Sequence, residues 1–311
     1  MKICDCEALL RGADDILLIT HSRPDGDTLC SAAALCSALR RLGKNAGLYN
    51  NPEITDTYAG FVRDYIWTEY PENPYIVSVD TADTRMFPIG FSGKVKLAID
   101  HHASNPGYGE NNLIYGEKAA CGEIVMELIL ALCGELTPEE ANLIYAAIST
   151  DTGCFCYGNT TPQTLRAAAE VIEYGAENGR LNKLLFRSMS YSRLKLEGLI
   201  YAGMRSFRDN TVNVVIVTQD MMAESGATED DCDDLASLAG KIKGSVVAIT
   251  VRELPDGRSK ASVRTNESVN ASEICARFGG GGHSMAAGCN AAMGPYEFAD
   301  ALLEVVNEVY R

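Results

Sequence analysis

The chain reads as an α/β protein in two parts: a parallel-sheet N-terminal domain joined by a helical linker to a smaller α+β C-terminal domain. Three observations predict this. The 311 residues exceed what one compact core usually holds. In the first half, short β-rich apolar runs alternate with longer helical patterns, as in a parallel sheet with helices on both faces. In the second half, strand patterns crowd together and that alternation is lost. A composition 46% hydrophobic and 22% charged excludes a long disordered chain.

The elements follow in order. DILLIT, Asp15 to Thr20, is a compact apolar run ending at His21. From Asp27, TLCSAAALCSALRRLG is an Ala/Leu-rich helix stopped by Gly43, with Arg40 and Arg41 in its last turn. YIVSV (Tyr75 to Val79) and VKLAI (Val95 to Ile99) are buried-strand patterns followed by Asp80 and Asp100. Cys121 to Leu132 is helical and apolar, and Thr137-Pro138-Glu139-Glu140 opens a helix running through Ile148. Ser188 to Gly203 is amphipathic without a preceding strand, which suits a connector. Beyond it TVNVVIVT, GSVVAITVREL and SKASVRTN read as strands, the last two joined by the turn Leu254-Pro255-Asp256-Gly257. Helices are expected over 231–240, Ala271 to Phe278 and Tyr296 to Tyr310. The boundaries are therefore 1–188 for the first domain, 189–204 for the linker and 205–311 for the second domain.

Charge and cysteine usage narrow the function. With 27 basic and 42 acidic residues the net charge is −15, which argues against extended duplex binding and against adhesion to an anionic membrane. A small phosphorylated substrate is compatible, because a buried metal cluster supplies local positive charge. The eleven cysteines are odd in number, form no C-x-x-C pair and sit in a chain far larger than a disulfide-stapled domain. Buried free thiols in a reducing cytoplasm are expected. The opening MKICDCEALLRGADD lacks a basic end and apolar run, and no apolar stretch approaches the ~18 residues of a membrane span.

Only four histidines are present, each in a polar or glycine cluster at an expected element end. His21 opens H-S-R-P-D-G-D, which places Asp25 and Asp27 just after a strand. Asp80 follows YIVSV, Asp100-His101-His102 follows VKLAI, Asp151 stands in T-D-T-G, and His283 closes G-G-G-G-H. Taken singly, an Asp at a strand end is a common turn or cap residue, and Asp27 reads equally as an N-cap. Together, His21, Asp25, Asp27, Asp80, His101 and Asp151 would converge at the carboxyl ends of parallel strands, where ligands of such sheets gather. Four carboxylates in one pocket repel one another, and two divalent ions offset that charge. An oxygen-rich site with some imidazole suits Mn²⁺ first, then Mg²⁺ or Fe²⁺. In the second half, Gly279 to Gly282 expose main-chain N–H groups to which a phosphate has close access. Arg264, at the end of SKASVRTN, is a fork for a second phosphate. Asn266 and Arg23 are weaker candidates.

H-S-R-P-D-G-D, V-D-T-A-D, D-H-H and T-D-T-G, in this order, resemble the four motifs of the DHH phosphoesterase superfamily. G-G-G-G-H-S-M-A-A-G resembles the signature of its associated C-terminal domain, so the resemblance runs from His21 to Gly288. The layout is most similar to the nanoRNase/pAp-phosphatase type, which implies hydrolysis of short oligonucleotides, about 2–5 units long, and of 3′-phosphoadenosine 5′-phosphate. It also implies metal sites at His21, Asp25 and Asp80, and at Asp27, Asp80, His101 and Asp151, with Asp80 shared. Asp100 would orient the histidines and His102 would face the phosphate, while Arg264, Gly280, Gly281, Gly282 and His283 would bind substrate. The two domains would close about the connector, and a homodimer is the family expectation. One position departs from the pattern: Cys30 stands where the first motif usually carries Gly, either as packing or as an oxidation-sensitive thiol. Alternatives are a phosphodiesterase of cyclic dinucleotides or their linear products, a manganese pyrophosphatase, and a nucleotide sensor without catalysis. The glycine run speaks against the pyrophosphatase, and the complete ligand set against the sensor.

Overall fold

A computed structural model of the chain describes residues 1–232 and 235–310. They divide into two compact units, Met1–Ser188 and Met189–Arg311.

The first unit runs α1 (Ile3–Gly12), β1 (Ile16–Ile19), α2 (Gly26–Arg41), β2 (Ala46–Leu48), α3 (Asp56–Val62), β3 (Tyr75–Val79), β4 (Leu97–Asp100), β5 (Asn111–Ile114), α4 (Cys121–Cys133), α5 (Pro138–Asp151), α6 (Pro162–Glu173) and α7 (Asn178–Phe186). Its five strands are all parallel, in the order β2-β1-β3-β4-β5. Pro138 at the first position of α5 and the reciprocal Thr137–Glu140 capping box account for that helix's sharp start. Alternate strand residues Ile16, Leu18, Val77, Val79, Leu97 and Ile99 bury against apolar side chains of α1, α2, α4 and α5. The opposite face differs from expectation. Leu17, Ile19, Ile76 and Ala98 are covered by Tyr49, Trp67, Phe87, Phe91 and Tyr108, none of them in an α-helix. The β3–β4 and β4–β5 connections contain no α-helix, so large aromatic rings supply the buried area that helices would otherwise provide.

The second unit runs α8 (Tyr191–Ala202), β6 (Arg205–Phe207), β7 (Val212–Val217), α9 (Gln219–Ser225), β8 (Val247–Glu253), β9 (Ser259–Thr265), α10 (Ala271–Ala276), β10 (Gly281–His283), β11 (Ala286–Ala291) and α11 (Pro295–Val309). Its mixed sheet has the order β10-β11-β9-β8-β7-β6, with only β7 and β8 parallel. β7 alternates cleanly: Val212, Val214 and Ile216 face the core that includes Phe298 and Leu302 of α11, whereas Val215 and Val217 face Leu196 and Ile200 of α8. The helix read as a connector is therefore part of the second unit's own core. The glycine run, read as a loop, enters an edge strand, β10. The helix expected over 231–240 includes residues 233 and 234, which lie outside the described residues. To either side of them the chain forms 3-10 turns at Asp230–Cys232 and Leu235–Lys241. Among the described residues no helix is long and apolar enough to cross a membrane. The cysteines are free thiols.

Candidate metal centre

In the first sheet the strand order turns between β1 and β3, since β2 lies beyond one and β4 beyond the other. The carboxyl ends of strands at such a point form a crevice. His21 follows β1, Asp80 follows β3, and Asp100 and His101 end and follow β4. Asp25 caps α2, accepting hydrogen bonds from the Asp27 and Thr28 amides, and Asp27 sits in that helix's first turn. Asp151 is the last residue of α5. Gly26 lets the end of α5 approach, because a Cβ there would stand 2.5 Å from the Thr150 hydroxyl oxygen.

Asp80 lies between two groups. His21 Nε2 stands 3.7 Å from Asp25 Oδ1 and 3.9 Å from Asp80 Oδ2. His101 Nε2 stands 3.4 Å from Asp80 Oδ1, 3.6 Å from Asp151 Oδ2 and 3.9 Å from Asp27 Oδ2. Candidate ligand atoms of His21, Asp25 and Asp80 all lie within 4.8 Å of one another, as do those of Asp27, His101 and Asp151. Both histidines are held in the tautomer a metal requires. His21 Nδ1 faces the Ser22 carbonyl at 2.8 Å and His101 Nδ1 the Lys118 carbonyl at 3.1 Å. A carbonyl only accepts, so each Nδ1 carries a proton, and Nε2 is the ring atom that faces the carboxylates and would ligate a metal. His102 is held differently: its Nδ1 is 2.8 Å from Asp100 Oδ1, and Asn105 Nδ2 donates to Asp100 Oδ2 at 2.6 Å.

The electrostatics call for cations. Burial, followed by the charges of Asp151 and Asp25, holds the Asp27 carboxyl well above the ordinary carboxylate range. Burial with Asp27, Asp25, Asp100 and Asp151 does the same to Asp80, and burial with Asp25 raises Asp151. Against the upward push of burial, His21 and the amides of Thr28 and Asp27 bring Asp25 below it. Asp80 Oδ1 is buried without a hydrogen-bond partner, an arrangement that costs free energy unless a cation meets it. The donor set of carboxylate oxygens and imidazole Nε2 atoms fits Mn²⁺, Mg²⁺ or Fe²⁺.

Asp27 has a second task. Its carboxylate accepts from the Cys121 amide at 2.6 Å, the Gly122 amide at 2.9 Å and the Ser31 hydroxyl at 3.0 Å. Cys121 and Gly122 begin α4, whose N-cap residue, Ala120, has no side chain to accept those bonds. Asn105, Ser31 and the Lys118 carbonyl escaped the sequence reading. Asn105 leaves only the turn signal of Asn105-Pro106-Gly107, and a carbonyl carries no residue-type signal. Cys30 is fully buried, and burial, with Asp27 and Asp25 nearby, pushes its thiol up, away from the oxidisable thiolate. Its full burial suits packing within the core. Burial also raises the half-buried Cys154 thiol, while Cys156 is exposed.

The other candidates form a group of their own in the second unit. His283 pairs with Ala286, and Ala286 with Arg264, across neighbouring strands. Directly opposed residues share a face, so Arg264 and His283 project from one side of the sheet about 10 Å apart, with only an alanine between them. Both are exposed. Gly280 is required by close approach: a Cβ there would stand 2.2 Å from the Gly288 carbonyl oxygen and 2.5 Å from Cys289 Cβ. At Gly281 nothing lies within 4 Å. Gly280→Ala should therefore destabilise the second unit by about 1–3 kcal/mol, and Gly281→Ala should leave its denaturation midpoint in place. Equal midpoints for both variants would contradict this packing.

Comparison with known proteins gives a consistent assignment. Residues 15–148 match the DHH family, N-terminal domain, and residues 210–311 the DHHA1 domain. The chain is 35% identical over 277 residues to a Thermus thermophilus protein named bifunctional oligoribonuclease and PAP phosphatase NrnA, covering 88% of this chain and 83% of that one. A Bacillus subtilis protein of the same name is 29% identical over 300 residues, covering 93% of each. Among solved structures, an exopolyphosphatase-related protein from Bacteroides fragilis superposes with a TM-score of 0.86 at 20% identity, over 98% of this chain and 95% of that one.

Proposed function

The chain belongs to the DHH family of metal-dependent phosphoesterases, and on that basis we propose that its substrates are short oligonucleotides of about 2–5 units and 3′-phosphoadenosine 5′-phosphate. It is a hydrolase of phosphoester bonds. The products would be mononucleotides from the former and AMP from the latter. The observation that carries the reading is the position of Asp80, whose two oxygens face two separate groups of candidate ligands. The names borne by its relatives supply the substrate class.

His21, Asp25 and Asp80 would hold one divalent ion, and Asp27, Asp80, His101 and Asp151 a second, with Mn²⁺ the best match to the donors. Such ions supply charge stabilisation at the phosphoryl oxygens and an acidified water. The protein's own groups do the rest. Asp100, itself held by Asn105, fixes His102 through Nδ1, so that the half-exposed ring offers Nε2 to a substrate phosphate. The crevice at the strand ends orients the ester. In the second unit Arg264 would offer a phosphate a planar fork, and the edge strand Gly281–His283 main-chain N–H groups. The net charge of −15 disfavours longer strands. The free thiols suit a reducing cytoplasm.

Purified protein with Mn²⁺ should release mononucleotide from a dinucleotide and phosphate from 3′-phosphoadenosine 5′-phosphate. It should work far more slowly on a strand of about 24 nucleotides. Preference for that long strand, a cyclic dinucleotide or pyrophosphate would overturn the substrate assignment.

A further inference from the structure

We propose that Glu123, which touches none of the candidate ligands, is a positioning residue that sets Asp27, His101 and Asp151 in place through the turn at 118–122. The proposal rests on the metal reading above. Each of the three ligands is held by this turn. The Lys118 carbonyl accepts from His101 Nδ1 at 3.1 Å, and the Cys121 and Gly122 amides donate to the two oxygens of Asp27. The Ala119 carbonyl accepts from Asn159 Nδ2 at 3.2 Å, and the same nitrogen donates to the Asp151 carbonyl at 3.1 Å. A shift of the turn would therefore move three ligands at once, and all three belong to the group on one side of Asp80.

Glu123 is what fixes the turn. Its side chain is 2% exposed. Oε1 accepts from the Ala119 amide at 3.2 Å and from the Thr164 hydroxyl at 2.8 Å, while Oε2 lies 3.6 Å from Lys118 Nζ. One buried carboxylate thus holds the Ala119 amide and the Lys118 side chain and ties both to α6. Lys118 is held further by Glu127 at 2.5 Å. In Glu123→Gln an oxygen still serves the amide and the hydroxyl, but an NH₂ group replaces the acceptor facing the lysine. In Glu123→Ala the turn loses the acceptor for the Ala119 amide, the tie to Thr164 and the partner at Oε2, and of these anchors keeps only the Lys118–Glu127 pair. His21 and Asp25 have no hydrogen bond to this turn among those described. The two halves of the centre should therefore respond differently.

The test is calorimetric titration of the full chain with Mn²⁺ alone. Wild type should show two sites. Glu123→Ala should leave one at wild-type affinity and weaken the other about 10–100-fold, the range seen when groups that orient metal ligands are removed. Glu123→Gln should fall between. KM for a dinucleotide should return to the wild-type value once Mn²⁺ saturates. Asn159→Ala, which cuts the tie to Asp151 alone, should weaken the same site and serves as the measurement if Glu123→Ala does not fold. Unchanged affinities, or equal weakening at both sites, in the folded variants would overturn the proposal. Absence of any Mn²⁺ binding by wild type would instead overturn the metal reading beneath it.

Discussion

Asp80→Asn should lower turnover of a dinucleotide about 10³-fold while raising the melting temperature of the metal-free protein by about 4–8 °C. The two effects share one cause. Asp80 faces both ligand groups, so its loss weakens both proposed metal sites, and several kcal/mol of charge stabilisation at the phosphoryl group go with them. Without metal the same carboxylate is a liability. It is 3% exposed, surrounded by other acids, and one oxygen has no partner. Asparagine has the same shape and tolerates the left-handed backbone found there, φ 54°. Its amide can also donate toward the lone pair of His101 Nε2. Relief of about 2 kcal/mol is expected. Retained turnover, or a fall in melting temperature, would contradict the account of this residue.

Asp27→Ala should abolish detectable turnover and destabilise the protein, the opposite thermal sign from a carboxylate in the same cluster. Alanine leaves the Cys121 and Gly122 amides buried without acceptors at the start of α4, each costing about 1–3 kcal/mol. Ala120 cannot substitute as a cap. A loss of about 3–5 kcal/mol, or about 10 °C, should appear in thermal denaturation of the metal-free protein. Asp27→Asn, whose single oxygen still serves one amide, should lie between. A metal-free Asp27→Ala protein as stable as wild type would show that the α4 contact carries no weight.

The contrast between these two aspartates marks where sequence reading works and where it stops. Tyr75–Val79 is a strand with the bounds its apolar run suggests, and the Thr137-Pro138 signal begins a helix where expected, because both signals are local. The acids and histidines at element ends are legible for the same reason. Asp27, by contrast, looked like a candidate cap for its own helix. Asp25 has that role, and Asp27 caps a helix 94 residues away, which only the folded chain brings near. α1 buries little more than Cys6 and Leu10 in ten residues, too weak a stripe to announce a helix. β10 is built partly of glycine, a residue depleted in strands, and owes its conformation to pairing with β11. The partners that select the histidine tautomers are main-chain carbonyls, which no residue type betrays.

The most direct test is a crystal of the full chain soaked in Mn²⁺, with anomalous scattering recorded at the manganese edge. Two peaks are predicted, one beside His21 and Asp25, the other among Asp27, His101 and Asp151, with Asp80 in contact with both. A single peak remote from Asp80, or none within this group of side chains, would contradict a paired-metal phosphoesterase centre.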